Sequence, residues 1–235
     1  MKKPYVNIVA LVPMKGHSQR VSGKNYRNFN GKPLFFWIIE TLLQCPSINS
    51  VYIDTDSSII KEKALHRFGD SIRIIDRPQH LLGDRVPMND ILLHDISEVD
   101  ADYYLQTHCT NPLLKKETIE RAIELFLSSD KYDSLFSVTR IQSRLWDGNL
   151  RPINHNPDRL EQTQDLPPIF EENSNIYIFT KDVISRKKNR IGNNPMMFEI
   201  PKCEAVDIDD EEDFCIAESM AKYYFNHKEE TGRTE

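Results

Sequence analysis

Short apolar runs alternate with stretches of helical periodicity along nearly the whole chain, and no other feature constrains the fold as strongly. A rhythm of strand, crossover helix and strand predicts a doubly wound α/β fold, with a mostly parallel sheet covered on both faces. The strand candidates are Val6 to Val12, Ser50 to Asp54, Ser71 to Ile75, Tyr103 to Thr107, Ser134 to Thr139 and Asn175 to Phe179. Between them, Leu34, Ile38, Thr41, Leu42 and Cys45 recur at helical spacing, as do Ile119, Ala122, Ile123 and Phe126, and later Phe214, Ala217, Ala221 and Tyr224. Pro33 suits a first helical turn, and the Asp54-Thr-Asp-Ser57 corner offers an N-cap for the next helix. The 235 residues show no composition shift, so one domain spanning 1–235 is expected. Residues 140–173 break the rhythm with Pro152, Pro157, Pro167 and Pro168, and read as an inserted lid, substrate wall or dimerisation arm. The polar tail from His227 to Glu235 is expected to fray.

The first strand candidate empties into a loop, residues 13–25, loaded with Lys15, Arg20 and Lys24. Three cations in so short a span suit a ligand with several negative charges, such as a triphosphate, and Gly16 and Gly23 are expected to let the backbone approach it. The loop is not a Walker A sequence, because Ser18 stands where the first glycine belongs and Gly23-Lys24 is followed by Asn25, which has no hydroxyl for magnesium. Nor is it a dinucleotide fingerprint, since Gly16 and Gly23 are too far apart for that tight turn. With 30 Lys and Arg against 36 Asp and Glu, the formal charge is −6, which argues against nucleic-acid binding and makes the local cations conspicuous. No membrane span is present, and Cys45, Cys109, Cys203 and Cys215 form no C-x-x-C pair, so a cytoplasmic, reducing location is expected.

A second constellation is Asp207-Ile-Asp-Asp-Glu-Glu-Asp213. Extended backbone at Ile208 would place Asp207 and Asp209 on one side, and paired carboxylates call for a cation such as Mg2+. Asp210 to Asp213 would open the final helix, where acidic side chains complement the helix dipole. Gln106, His108, Thr110 and Asn111 leave the end of a strand candidate, where open α/β sheets place ligands; His108 and the Asp54, Asp56 pair are candidates for a general base.

In order along the chain, Gly23-Lys-Asn25, Asn30-Gly-Lys-Pro-Leu34, Asp54-Thr-Asp56, Arg77-Pro78, Thr110-Asn-Pro-Leu113 and Asp207-Ile-Asp209 resemble the motifs of the acylneuraminate cytidylyltransferases, the CMP-sialic acid synthetase family. The resemblance covers nearly the whole chain. It implies transfer of CMP from CTP to the hydroxyl of an acidic sugar, with loss of pyrophosphate. It further implies that Lys15, Gly16, Ser18, Arg20, Lys24, Asn25 and Arg77 form the nucleotide site, and that Gln106, His108, Gln162 and Asn173 form the sugar site. Asp207 and Asp209 would hold Mg2+, Lys24 and Asp209 would act catalytically, and the insert would reach across a homodimer. Lys15 stands where many members carry Arg, and His108 stands opposite the family's sugar-contacting glutamine, which leaves the identity of the acid open. Two other readings stay open at this level: a nucleotidyltransferase for a different acceptor, and a nucleotide-binding regulator without catalysis.

Overall fold

The computed structural model describes residues 6–231. Strand β1 (Ile8–Pro13) leads through the basic loop to a two-strand hairpin, β2 (Asn28–Phe29) and β3 (Lys32–Pro33), and then to helix α1 (Leu34–Leu43). The chain continues through β4 (Ser50–Thr55), α2 (Ser58–Phe68), β5 (Arg73–Asp76), α3 (Met88–Glu98), β6 (Tyr103–Gln106) and α4 (Lys116–Leu127). The last third contributes β7 (Ser134–Ile141), β8 (Ile169–Phe179), α5 (Lys181–Lys187), β9 (Pro195–Glu199) and α6 (Glu211–Thr231).

Seven strands form one sheet in the order β5-β4-β1-β6-β8-β7-β9. Its pairs are parallel except β6 with β8 and β7 with β8, so β8 alone runs against the others. The doubly wound expectation is met, and all six strand candidates are present with ends shifted by a few residues or, for β8, extended by six. The seventh strand, β9, was not foreseen, because Pro-Met-Met-Phe-Glu shows neither alternation nor a β-branched run. Every residue of β1 is buried, as a central strand covered on both sides must be. Its Ile8, Ala10 and Val12 pack with α1 and α4, whereas Val9 and Leu11 face α3 and α5.

From β1 the chain winds outward to β4 and β5, then returns to β6 on the other side of β1. This reversal parts the loops that follow β1 and β6 and opens a crevice at their carboxyl ends. Beyond it, β7 and β8 form a long antiparallel ribbon that pairs out to Ile141 and Ile169. Residues 140, 141 and 169–173 of the expected insert are therefore strand, and the loop proper is 142–168, secured by a bridge between Trp146 and Pro152.

A third apolar cluster joins the ends of the chain. Val21 of the basic loop, Phe29, Leu34, Leu113 and Ile208 pack with Phe214, Ala217 and Ala221 of α6. Phe29 meets Phe214 edge to face at 5.6 Å, and the Arg27 guanidinium lies 4.3 Å from the Phe214 ring centre. The helix begins with reciprocal caps: Asp213 accepts from the amides of Asp209 and Asp210 at 2.9 and 3.1 Å, and Asp210 accepts from Asp213 N at 2.9 Å. Helix α6 runs to Thr231, so the backbone is helical further into the tail than fraying would allow, and residues 232–235 lie outside the described part. No helix among the described residues is long and apolar enough to cross a membrane.

Truncating the ring at this junction, Phe214→Ala, is expected to cost about 3–5 kcal/mol of stability. Urea unfolding of the purified variant measures it, and a loss below about 1 kcal/mol would show that the cluster does not anchor α6.

Candidate active site

A cavity of about 440 Å³ occupies the crevice, walled by the loop after β1, the loop after β6 and the segment before α6. Lys15, Arg20, Lys24, Asn25, Arg77, His108, Asp207 and Asp209 all line it. Two motifs almost two hundred residues apart in sequence thus share one wall. A larger, more open depression of about 870 Å³, lined by residues 80–87 with Asp90, Leu93 and His94, adjoins it through Gly83, Asp84 and Val86 and contains none of the nominated residues.

Ile208 is fully buried in the third apolar cluster, so the aspartates on either side of it both reach the cavity. The segment belongs to no strand or helix. Ile208 N donates to Thr110 O at 3.0 Å, and Lys24 Nζ donates to Ile208 O at 2.5 Å, tying the segment to both loops. Arg20 forms an ion pair with Asp209 at 2.7 Å, and the largely buried Lys24 lies 3.7 Å from the same carboxylate. Lys15 is paired with Asp84, which also accepts from Gln19 at 2.6 Å. Burial raises the pKa of Asp207 above the ordinary carboxylate range; a hydrogen bond from Thr110 opposes this, and the neighbouring charge of Asp209 adds to it. Asp207 Oδ1 is buried and has no hydrogen-bond partner among the described residues.

Both glycines are closely packed. A Cβ at Gly16 would fall 2.7 Å from Ser57 Cβ, and the Gly16 amide donates to Asp56 Oδ1 at 2.6 Å. Gly23 has φ +61°, and a Cβ there would strike the Tyr26 ring at 2.8 Å. Ser18 accepts from Val21 N at 3.4 Å and shapes the turn, and Asn25 donates to Lys15 O at 2.7 Å. Neither Gly16 nor Ser18 lines the cavity. Ser57 caps α2 as expected, accepting from Ile60 N.

The nominated sugar residues are less closely gathered. His108 is on the wall, with its pKa pushed down to about 3 by burial and by the positive charges of Arg190 and Lys24, so it is neutral at physiological pH. Gln106 is fully buried behind it, its Nε2 3.0 Å from His108 Nε2. Asn173 does not line the cavity. It accepts from Ser137 Oγ at 2.6 Å and donates to Thr139 Oγ1 at 2.9 Å, closing a wide bulge in β8 that turns Ser174 (φ +58°) onto the wall. Gln162 is also off the wall; it lies in the 142–168 loop and accepts from Gln164 Nε2 at 2.7 Å. Asp84, Ser174 and Arg190 line the cavity without having been foreseen: Asp84 and Arg190 lie in loops whose sequence shows only solvated polar character, and Ser174 is turned inward by the bulge in β8.

Arg77 reaches the cavity from a buried ion pair with Asp54, its Nε donating to Asp54 Oδ1 at 2.6 Å. Asp54, His94 and Asp95 bring their ligand atoms within 4.8 Å of one another. Asp95 is completely buried, and its pKa is raised to about 9 by burial and by the charge and hydrogen bond of Asp54, against the opposing pull of Arg77. At neutral pH it is therefore protonated, beside the ion pair of Arg77 with Asp54.

A family model described as cytidylyltransferase matches residues 9–230. This chain belongs to the cytidylyltransferase family. It is 30% identical over 230 residues to CMP-N,N'-diacetyllegionaminic acid synthase of Legionella pneumophila, covering 92% of this chain and 96% of that protein. It is 24% identical over 215 residues to the N-acylneuraminate cytidylyltransferase of Streptococcus agalactiae, covering 88% of this chain but 51% of the relative, so the chain spans about half the length of that enzyme. Among solved structures, CMP:2-keto-3-deoxy-manno-octonic acid synthetase complexed with CTP superposes with a TM-score of 0.66 at 18% identity, covering 94% of this chain and 99% of the other. The 4-diphosphocytidyl-2C-methyl-D-erythritol synthase of Anaerococcus prevotii gives 0.68 at 12% identity, covering 92% and 96%. These two share the fold.

The native state holds a proton on Asp95 that the unfolded chain releases near pH 4, so between pH 5 and pH 8 this group lowers stability as pH rises. Asp95→Asn keeps the donor and removes the titration. Its melting temperature relative to the natural protein is expected to climb steadily across that range, and differential scanning calorimetry at pH 5, 6.5 and 8 reads the trend; a flat difference would contradict the protonated assignment.

Proposed function

We propose that this protein transfers CMP from CTP to the hydroxyl of an acidic sugar of the nonulosonate class, releasing pyrophosphate. The observation that carries this reading is the meeting of Lys15, Arg20 and Lys24 with Asp207 and Asp209 in one cavity at the reversal point of the sheet. The choice of a nine-carbon acid is supported by the Legionella relative, which matches over nearly its full length.

In this reaction the acceptor hydroxyl oxygen bonds to the α-phosphorus of CTP and releases its proton to water, while the bond from the α-phosphorus to the oxygen bridging to the β-phosphate breaks and the electron pair leaves with pyrophosphate. Most of the catalytic advantage in such transfers comes from positioning and from neutralising charge on the phosphate oxygens. Lys15, Arg20 and Lys24 do this for the triphosphate. To do so, Arg20 exchanges the Asp209 carboxylate for phosphate, and Lys15 exchanges Asp84. Asn25 braces the loop through Lys15 O, and Ile208 O fixes the Lys24 ammonium. Asp207 and Asp209 fit a magnesium ion, since Asp207 Oδ1 is buried with no partner among the described residues and burial disfavours its charge. Bound there, the ion would supply positive charge to the phosphate oxygens.

The 142–168 loop carries the apolar side chains of Trp146, Leu150, Ile153 and Leu160 at the surface, with Leu160 89% exposed. We infer that this arm packs against a second copy and helps wall its sugar site. The four cysteines are free, which supports a reducing, cytoplasmic location.

Incubation with each of the four NTPs, magnesium and a panel of 2-keto-3-deoxy sugar acids is expected to yield pyrophosphate with CTP and a nonulosonic acid. Asp209→Ala should lower kcat by roughly a hundredfold or more while the melting temperature stays close to that of the natural protein, because the side chain is half exposed. Silence with every pairing would sink the proposal, and full activity in the variant would remove the magnesium assignment.

A further inference from the structure

Five permanent cations line the cavity, namely Lys15, Arg20, Lys24, Arg77 and Arg190. The first four each have a carboxylate within 4.0 Å: Asp84 for Lys15, Asp209 for Arg20 and Lys24, and Asp54 for Arg77. Arg190 has none among the described residues, although it is half buried and burial pulls its pKa down. Glu172 lies beyond 4.0 Å of it, although its charge partly offsets the effect of burial, and it accepts from the Tyr177 hydroxyl. A desolvated guanidinium without a counter-ion is costly to hold, and an incoming anion removes that cost.

The side chain is held in place. Its guanidinium stacks 3.5 Å from the Tyr177 ring centre, and its Nη1 donates to Gln106 Oε1 at 2.5 Å. The backbone is pinned as well, with Arg190 N donating to Asn89 Oδ1 at 3.2 Å and Gly192 N to Ser134 Oγ at 2.8 Å. Arginine has no acceptor, so the Gln106 oxygen must face it, and the Gln106 amide then donates to Thr107 O and to His108 Nε2, both at 3.0 Å. A ring nitrogen that accepts cannot carry a proton. The remaining proton of neutral His108 therefore sits on Nδ1, which makes that atom a donor.

We propose that Arg190 receives the carboxylate of the acceptor acid and, through Gln106, fixes His108 as a neutral hydrogen-bond donor beside it. This rests on the reading of the chain as a cytidylyltransferase for an acidic sugar. Geometry and charge both favour a carboxylate here, because the fork of a guanidinium matches its two oxygens and the triphosphate already has three cations of its own. Arg190 thus separates acids from neutral sugars at a point remote in sequence from the nucleotide motifs.

The test compares the natural protein with Arg190→Gln and Arg190→Lys in steady-state pyrophosphate release, using N-acetylneuraminate, N,N'-diacetyllegionaminate and 2-keto-3-deoxy-octonate, each as the free acid and as its methyl ester. The natural protein is expected to prefer the free acid strongly. Arg190→Gln should raise KM for the acid roughly tenfold or more, abolish the preference over the ester and leave KM for CTP within about twofold. Arg190→Lys, which keeps the charge and loses the fork, should fall between, and it carries the comparison should the glutamine variant fail to fold. An active natural protein whose Arg190 variants keep both KM for the acid and the ester discrimination overturns the inference and leaves the proposed function standing. A natural protein that binds CTP but turns over no acid overturns the underlying reading, and the role of Arg190 falls with it.

Discussion

Burial of Ile208 in one apolar cluster with Val21 is the contact on which the site depends. Val21 belongs to the basic loop near the amino terminus, and Ile208 stands between the two aspartates near the carboxyl terminus. Because Ile208 is driven inward, its neighbours Asp207 and Asp209 are presented outward, and because Val21 shares its cluster, Arg20 and Lys24 are brought to meet them. Phe29, Phe214 and the capped start of α6 complete this wedge. The hydrophobic effect here positions charges: apolar area removed from water holds groups that would otherwise be too far apart to act on one ligand.

The charges that result are arranged for exchange. Lys15 and Arg20 rest on carboxylates of the same cavity, which offsets the repulsion among its cations. Exposed pairs of this kind are worth little and are easily traded for phosphate. The Arg77, Asp54 and Asp95 group differs, because it is buried and Asp95 keeps its proton beside the Arg77–Asp54 ion pair. Arg190 is the exception to this self-pairing: it lines the same cavity, held by Gln106 and Tyr177, with no carboxylate within 4.0 Å among the described residues.

Much of this architecture was legible in one sequence. The six strand candidates follow from apolar runs, and the helical stripes of α1, α4 and α6 follow from a period that burial enforces on one face. Local chemistry also speaks for itself: Ser57 as a cap and Asp213 reaching back to Asp210 are short-range interactions written in adjacent residues. What escaped were positions whose role depends on a partner far along the chain. Gly16 packs so closely against Ser57 that a side chain there would collide with it. Asn173 looked like a sugar ligand and closes a bulge across two strands.

By itself, the order of apolar and polar residues determined the class of fold, the basic loop and the aspartate pair, because periodicity, turn chemistry and charge density act over a few residues. Only the tertiary structure decided that β8 runs against its neighbours, that the two charged motifs face one cavity, and that no carboxylate among the described residues comes within 4.0 Å of Arg190. Those outcomes turn on which distant surfaces pack together, and an unpaired charge can be recognised only when every neighbour in space is known.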